Sequence, residues 1–113
     1  MPPETIVQKQ LDTYNARDLT GFLSCYTADV EIFNFGAAAP YMVGIAAVEK
    51  VYKDIFDQSP ELHAHLENRI VFDNKVIDHE KVTGRKGVDF TEIVAIYEVT
   101  DGLISQVTFM RQG

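Results

Sequence analysis

The sequence has no cluster of lysine and arginine, only one cysteine, no long apolar run and no internal repeat. Each absence removes a class of function. A nucleic-acid binder must meet a phosphate backbone with grouped cations. Here the formal charge is −7, and the densest basic spot is Arg85-Lys86 inside a glycine-bracketed turn. Nucleic acid is therefore not an expected partner. The longest apolar run, "YMVGIAAV", is far too short for a membrane span, so no membrane partner is expected either. The N-terminal "MPPET" lacks the basic start and apolar stretch of a secretory signal. Cys25 alone can form no internal disulfide, which fits a reducing, cytoplasmic location. A lone helical cysteine is read as packing rather than as a nucleophile. No low-complexity segment or linker breaks the 113 residues, so residues 1–113 are expected to be one domain.

What is present is a change of period halfway along. Val7, Gln10, Leu11 and Tyr14 recur at spacings of three and four, which predicts a helix from about Glu4 to Arg17. Asp18 can cap a second helix carrying Leu19, Phe22, Leu23 and Tyr26 on one face. "DVEIFNF" alternates like a strand, with Val30, Ile32 and Asn34 on one side, and "GAAAPYMVG" reads as a loop. Ile45, Val48, Tyr52 and Ile55 define a third helix that Pro60 terminates. From "LHAHLENRIVF" onward the period is two, broken by turns at "DNK", "TGRKG" and "TDG". Three helices and one strand, followed by a four-stranded antiparallel meander, predict an α+β fold.

The stretch "VIDHE" then needs a register. A symmetric turn at Asp73-Asn74 pairs Val71 with Val76, Arg69 with Asp78, Glu67 with Glu80 and His65 with Val82. This puts His63, His65, Glu67, Arg69, Asp78, Glu80 and Val82 on one face and His79 on the other. Arg69 and Asp78 make an ion pair. Glu67 and Glu80 face each other, and if both are dry, one holds its proton and becomes a poised acid or base. A solvated face is the alternative. His63 and His65 with Glu67 could be imagined around a metal, but two histidines on one strand face are read as polar surface, and neither metal nor cofactor is expected.

"IVQKQLDTYNARDLTGFLSCYTADVEIFNF", "GIAAVEKVYKDIF" and "YEVTDGLISQVTF" together resemble the SnoaL-like, ketosteroid-isomerase-like branch of the nuclear transport factor 2 superfamily. The resemblance implies a cone, a curved antiparallel sheet wrapped around three N-terminal helices (a cystatin-like α+β barrel), with an apolar pocket inside. It also implies a homodimer across the sheet's outer side and a small hydrophobic ligand. It places Gln10 where steroid isomerases have an oxyanion-donating tyrosine and Asn34 where they have the basic aspartate. Val94 or Ala95 falls where their second acid stands. Tyr26 and Tyr52 match supporting tyrosines, and Asp78, Glu80 and Val82 fall on pocket-lining positions that are apolar in the isomerases. Glu80 and Asp78 are thus the candidate catalytic acids. Gln10, Tyr14, Tyr26, Asn34, Tyr52, His63, Arg69 and Val82 are candidate ligand contacts. An isomerase or cyclase moving a proton on a carbonyl compound is one reading, and a non-catalytic binding or dimeric interaction domain is the other.

Overall fold

A computed structural model describes residues 2–111. Helix α1 (Pro3–Asn15) starts on a proline, whose missing N–H costs nothing in a first turn, and buries Val7, Gln10 and Leu11. Asp18 caps α2 (Leu19–Leu23) by accepting a hydrogen bond from the Gly21 amide at 3.1 Å. This helix is shorter than the spacing predicts, because Tyr26 already opens strand β1 (Tyr26–Asn34) opposite Ile104. The Ile104 amide donates to the Cys25 carbonyl at 2.8 Å, so sheet pairing takes this backbone before another helical turn can form. The segment expected to be a loop contains a two-residue strand, β2 (Met42–Val43), antiparallel to β1. Helix α3 (Ile45–Gln58) buries Val48 and Phe56.

The second half is the meander: β3 (His63–Phe72), β4 (Lys75–Thr83), β5 (Phe90–Thr100) and β6 (Leu103–Arg111). Among the described residues the sheet has six strands in the order β2-β1-β6-β5-β4-β3. It is curved but unclosed, and its inner face wraps the helices to give the α+β cystatin-like fold. Most pairs are antiparallel; β1 and β6 run parallel, which joins the early strand to the end of the meander.

The segment "YNARD" ties the helices to the sheet. Asn15 donates to the Ala64 carbonyl at 3.1 Å and accepts from the Ala64 amide at 2.8 Å, imitating a neighbouring strand. Arg17 adopts a left-handed backbone (φ 53) and donates to the Leu62 carbonyl at 2.8 Å. At the other end of β4, Gly84 has φ +77 and lies so close to the Glu61 backbone that a Cβ there would collide with it. The start of β3 is thus clamped from both sides.

That clamp coexists with a bulge. The register runs Val71↔Val76, Ile70↔Ile77, Arg69↔Asp78 and Asn68↔His79, as the Asp73-Asn74 turn dictates, and then slips. Past Glu67 the partners are Leu66↔Glu80, His65↔Lys81, Ala64↔Val82 and His63↔Thr83. One extra residue on β3 inverts everything before it. The expected Glu67–Glu80 and His65–Val82 pairs therefore do not form. Leu66 and Ala64 stand beside Glu80 and Val82, while His63 and His65 share the outer face with Thr83 and Lys81.

Candidate functional site

Two acids of β4 point inward and are buried: Asp78 is 0% exposed and Glu80 4%. Arg69, across the strand, grips Asp78 with both arms of its fork, Nε to Oδ1 at 2.7 Å and Nη2 to Oδ2 at 2.9 Å. Its remaining nitrogen, Nη1, donates to Gln8 Oε1 on α1 at 2.7 Å. Each nitrogen of Arg69 is thereby engaged, and Asp78 has its charge answered. Glu80 has no such partner. Burial pushes its carboxyl up to about 7, the neighbouring Asp78 charge adds to the rise, and Arg69 offsets part of it.

Glu80 borders a cavity of about 40 Å³, enclosed by Gln10, Tyr14, Tyr52, Val82, Tyr97 and Phe109 among others. The hydroxyl of Tyr97 donates to Gln10 Oε1 at 3.3 Å. Behind the cavity, Phe22 packs 4.7 Å from the Tyr52 ring and 5.1 Å from that of Tyr26, and Phe56 lies edge-on to Tyr14 at 5.6 Å. This aromatic block fixes the tyrosines. Burial raises the phenols of Tyr14, Tyr26, Tyr52 and Tyr97, and the Glu80 charge raises each of them further. All four therefore remain neutral hydroxyls, able to donate hydrogen bonds, around one carboxyl poised between its two forms.

Of the residues singled out in the sequence, Gln10, Tyr14, Tyr52, Glu80 and Val82 meet at this cavity. Tyr26 is buried behind it, in contact with Phe22. Arg69 and Asp78 form the ion pair beside it. Asn34 is exposed at the end of β1, where Arg111 Nη1 donates to its Oδ1 at 2.6 Å. His63 is misplaced by the expected register: the bulge sends it to the outer face, exposed, its ring 4.4 Å from that of His65. Among the described residues no three His, Cys, Asp or Glu side chains gather as metal ligands. His79 lies outward as expected, 3.4 Å from Glu92. Cys25 is fully buried, and burial raises its thiol, so packing is its role.

Sequence reasoning missed Tyr97 and Phe109 as cavity walls. The pairing of β4 with β5 supplies the missing signal: Val76↔Tyr97 and Asp78↔Ala95 put Tyr97 on the face of the two acids. Phe109, paired with Ala95, follows from the next strand.

The family model of the SnoaL-like domain matches residues 7–107. The chain belongs to the SnoaL-like family. Among solved structures, a cystatin-fold protein from Novosphingobium aromaticivorans superposes with a TM-score of 0.89 at 22% identity, over 98% of this chain and 99% of that one. A protein described as a candidate ketosteroid isomerase from Kribbella flavida gives 0.82 at 19%, over 98% and 78%. A candidate polyketide cyclase from Sinorhizobium meliloti gives 0.79 at 18%, over 94% of both chains. No curated protein matches. At these identities the likeness establishes the fold of the SnoaL-like chain and carries no activity. Among the described residues no helix is long and apolar enough to cross a membrane.

Proposed function

We propose that this SnoaL-like protein binds a small hydrophobic carbonyl compound and moves a proton on it, with Glu80 as the acid–base group. The observation that supports this most is the contrast inside the sheet: Arg69 is consumed by Asp78, leaving Glu80 buried, unpaired by any cation and with a carboxyl at about 7. A base with that pKa is half ionised at neutrality, where general catalysis is most effective. The neutral hydroxyls of Tyr14 and Tyr52 are the donors an enolate oxygen would need. Asp78 holds Arg69 and tunes Glu80, which makes it a positioning residue. The neighbours named for isomerases and cyclases of the same fold are compatible with such chemistry.

Steroid isomerisation is outside this reading. Gln10 and Asn34 occupy two of the isomerase positions, Asn34 is engaged by Arg111, and Ala95 carries no acid. A 40 Å³ cavity admits a few-atom head group rather than a ring system, since drug-sized ligands fill roughly 300 Å³ or more. The test is exchange of the α-protons of 4-phenylbutan-2-one, whose acetyl head is only a few atoms, in deuterated buffer, followed by NMR. Wild-type protein should accelerate exchange with a midpoint near pH 7, and Glu80→Gln should reduce the rate on the order of 10²-fold or more. Equal rates in the two proteins would remove Glu80 from the chemistry.

A partner is proposed for the opposite side of the sheet. Ile70 and Phe72 are 53% and 72% exposed, and the register aligns Ile70, Ile77 and Ile96 across three strands on that face. A second copy of the chain would cover them. Sedimentation at micromolar concentration should give about twice the 12.7 kDa chain mass, and a monomer there would refute the dimer.

A further inference from the structure

The inner cavity is too small to hold a whole ligand, so the remainder must lie elsewhere, and one neighbouring cleft shares a wall residue with it. Phe109 borders the 40 Å³ cavity on one side and, on the other, an open cleft of about 380 Å³ at the ends of β1 and β6. The cleft is walled by Asn34, Phe35, Phe109, Met110 and Arg111. Its walls are apolar except at Asn34 and Arg111. The Arg111 guanidinium lies 4.8 Å from the Phe109 ring centre and 5.9 Å from that of Tyr41. It donates to Asn34 Oδ1 at 2.6 Å and to the Tyr41 hydroxyl at 3.1 Å. Both partners are neutral. Among the described residues none of the ion pairs includes Arg111, in a chain with 17 acidic side chains to 10 basic ones. A cation held in place by two neutral hydrogen bonds and an aromatic ring has its charge still available. Its field reaches the inner site, since the Tyr52 phenol is held lower by Arg111 than it would otherwise be.

We infer that the ligand is an amphipathic keto acid: a carbonyl head in the inner cavity, an apolar body against Phe109, and a carboxylate at the far end received by Arg111. This rests on the proposed carbonyl-binding role of the inner cavity and adds the chemistry of the opposite end. A guanidinium suits the task because its planar fork matches a carboxylate, and Asn34 and Tyr41 already fix the plane of that fork. Repulsion by the many carboxylates of the chain disfavours an anion over most of the surface, which leaves the exposed cation at the cleft as the place where a carboxylate is tolerated beside the cavity.

Two isosteric probes separate this inference from the reading beneath it: 4-acetylbenzoate, which carries the carboxylate, and neutral 4-acetylbenzamide, which does not. Binding is measured by chemical-shift titration at low salt. Wild-type protein should bind the benzoate about 10-fold or more tighter than the amide, the value of one charge-assisted contact. Arg111→Gln should bring the two probes together by weakening the benzoate alone. Arg111→Lys should keep part of the preference, because charge survives and the fork does not. Equal binding of both probes to wild type, or a preference that survives in Arg111→Gln, overturns the inference while leaving the inner cavity's role intact. Failure of both probes to shift any cavity signal overturns the two together.

Discussion

The inner face of the sheet carries two acids two residues apart, and the surroundings of one are the reverse of the other's. Around Asp78 the sheet is regular: Arg69 sits directly opposite, and helix α1 adds Gln8, which accepts from the guanidinium nitrogen that Asp78 leaves free. Around Glu80 the sheet has slipped by one residue, and the side chain opposite is Leu66. Had the regular ladder continued, Glu67 would stand there, and two carboxylates would share a dry site. The bulge replaces that repulsion with an apolar neighbour. It leaves Glu80 desolvated but not crowded by a second acid on β3. A paired charge builds structure, whereas an unpaired one in the same environment stores free energy that chemistry can use.

The contrast breaks most visibly at its paired end. Arg69→Met would leave Asp78 buried with no counter-charge, and removing one partner of such a pair costs about 3–5 kcal/mol. The double variant Arg69→Met/Asp78→Leu should recover most of that loss, because the burial penalty goes with the charge. Urea unfolding of the three proteins measures this. A single-variant loss below about 1 kcal/mol would mean that water already reaches Asp78.

At the unpaired end the sign reverses, and it depends on pH. The Glu80 carboxyl is raised in the folded state from 4.5 to about 7. Below pH 4.5 it is protonated folded or unfolded, and it contributes no difference. Between 4.5 and 7 the folded protein holds a proton the unfolded chain has released, so stability falls as pH rises. Above 7 the penalty is complete, roughly 3 kcal/mol from the linkage relation. Glu80→Gln should therefore stabilise the protein by up to that amount at pH 8 and by almost nothing at pH 4, while abolishing proton exchange. Thermal or urea unfolding at the two pH values decides it, and an equal effect at both would show that Glu80 titrates normally.

How far the sequence reaches follows from the same residues. The two-residue turn at Asp73-Asn74 fixes the register of the first hairpin. The inward direction of the face with the two acids comes from the family resemblance, but the Arg69–Asp78 pair and the shared face of Asp78 and Glu80 are legible in the order of residues. The bulge is not. Nothing in "HAHLENRIVF" marks Glu67 as an extra residue, because the alternation continues through it; the slip lies beyond the point where Asn15, Arg17 and Glu61 hold the start of β3, contacts made by distant parts of the chain. That is why unbroken alternation puts His63 on the wrong face. Tyr97 is hidden for another reason. The β4–β5 connection of Gly84–Asp89 is too long to set a register by its length, so only the strand pairing itself fixes the face of Tyr97. Tyr26 fits a helical spacing, and only its partner Ile104, far along the chain, draws it into a strand.

The smallest effect tests whether the tyrosines around Glu80 act as dipoles or as charges. Tyr97 donates to Gln10 at 3.3 Å, near the long end of a useful bond, and burial keeps its phenol neutral. Tyr97→Phe should then cost only about 0.5–1 kcal/mol, the same at pH 6 and pH 8, since no titrating group is removed. A double-mutant cycle with Gln10→Leu should assign most of that cost to the one contact, because either single change removes the same bond. The Glu80 midpoint should stay near pH 7 in Tyr97→Phe, with burial and Asp78 unchanged. If the midpoint instead moves upward by a full unit or more, the Tyr97 hydroxyl was donating to the carboxylate itself. The unpaired acid would then have had a partner after all, and the contrast with Asp78 would be one of degree.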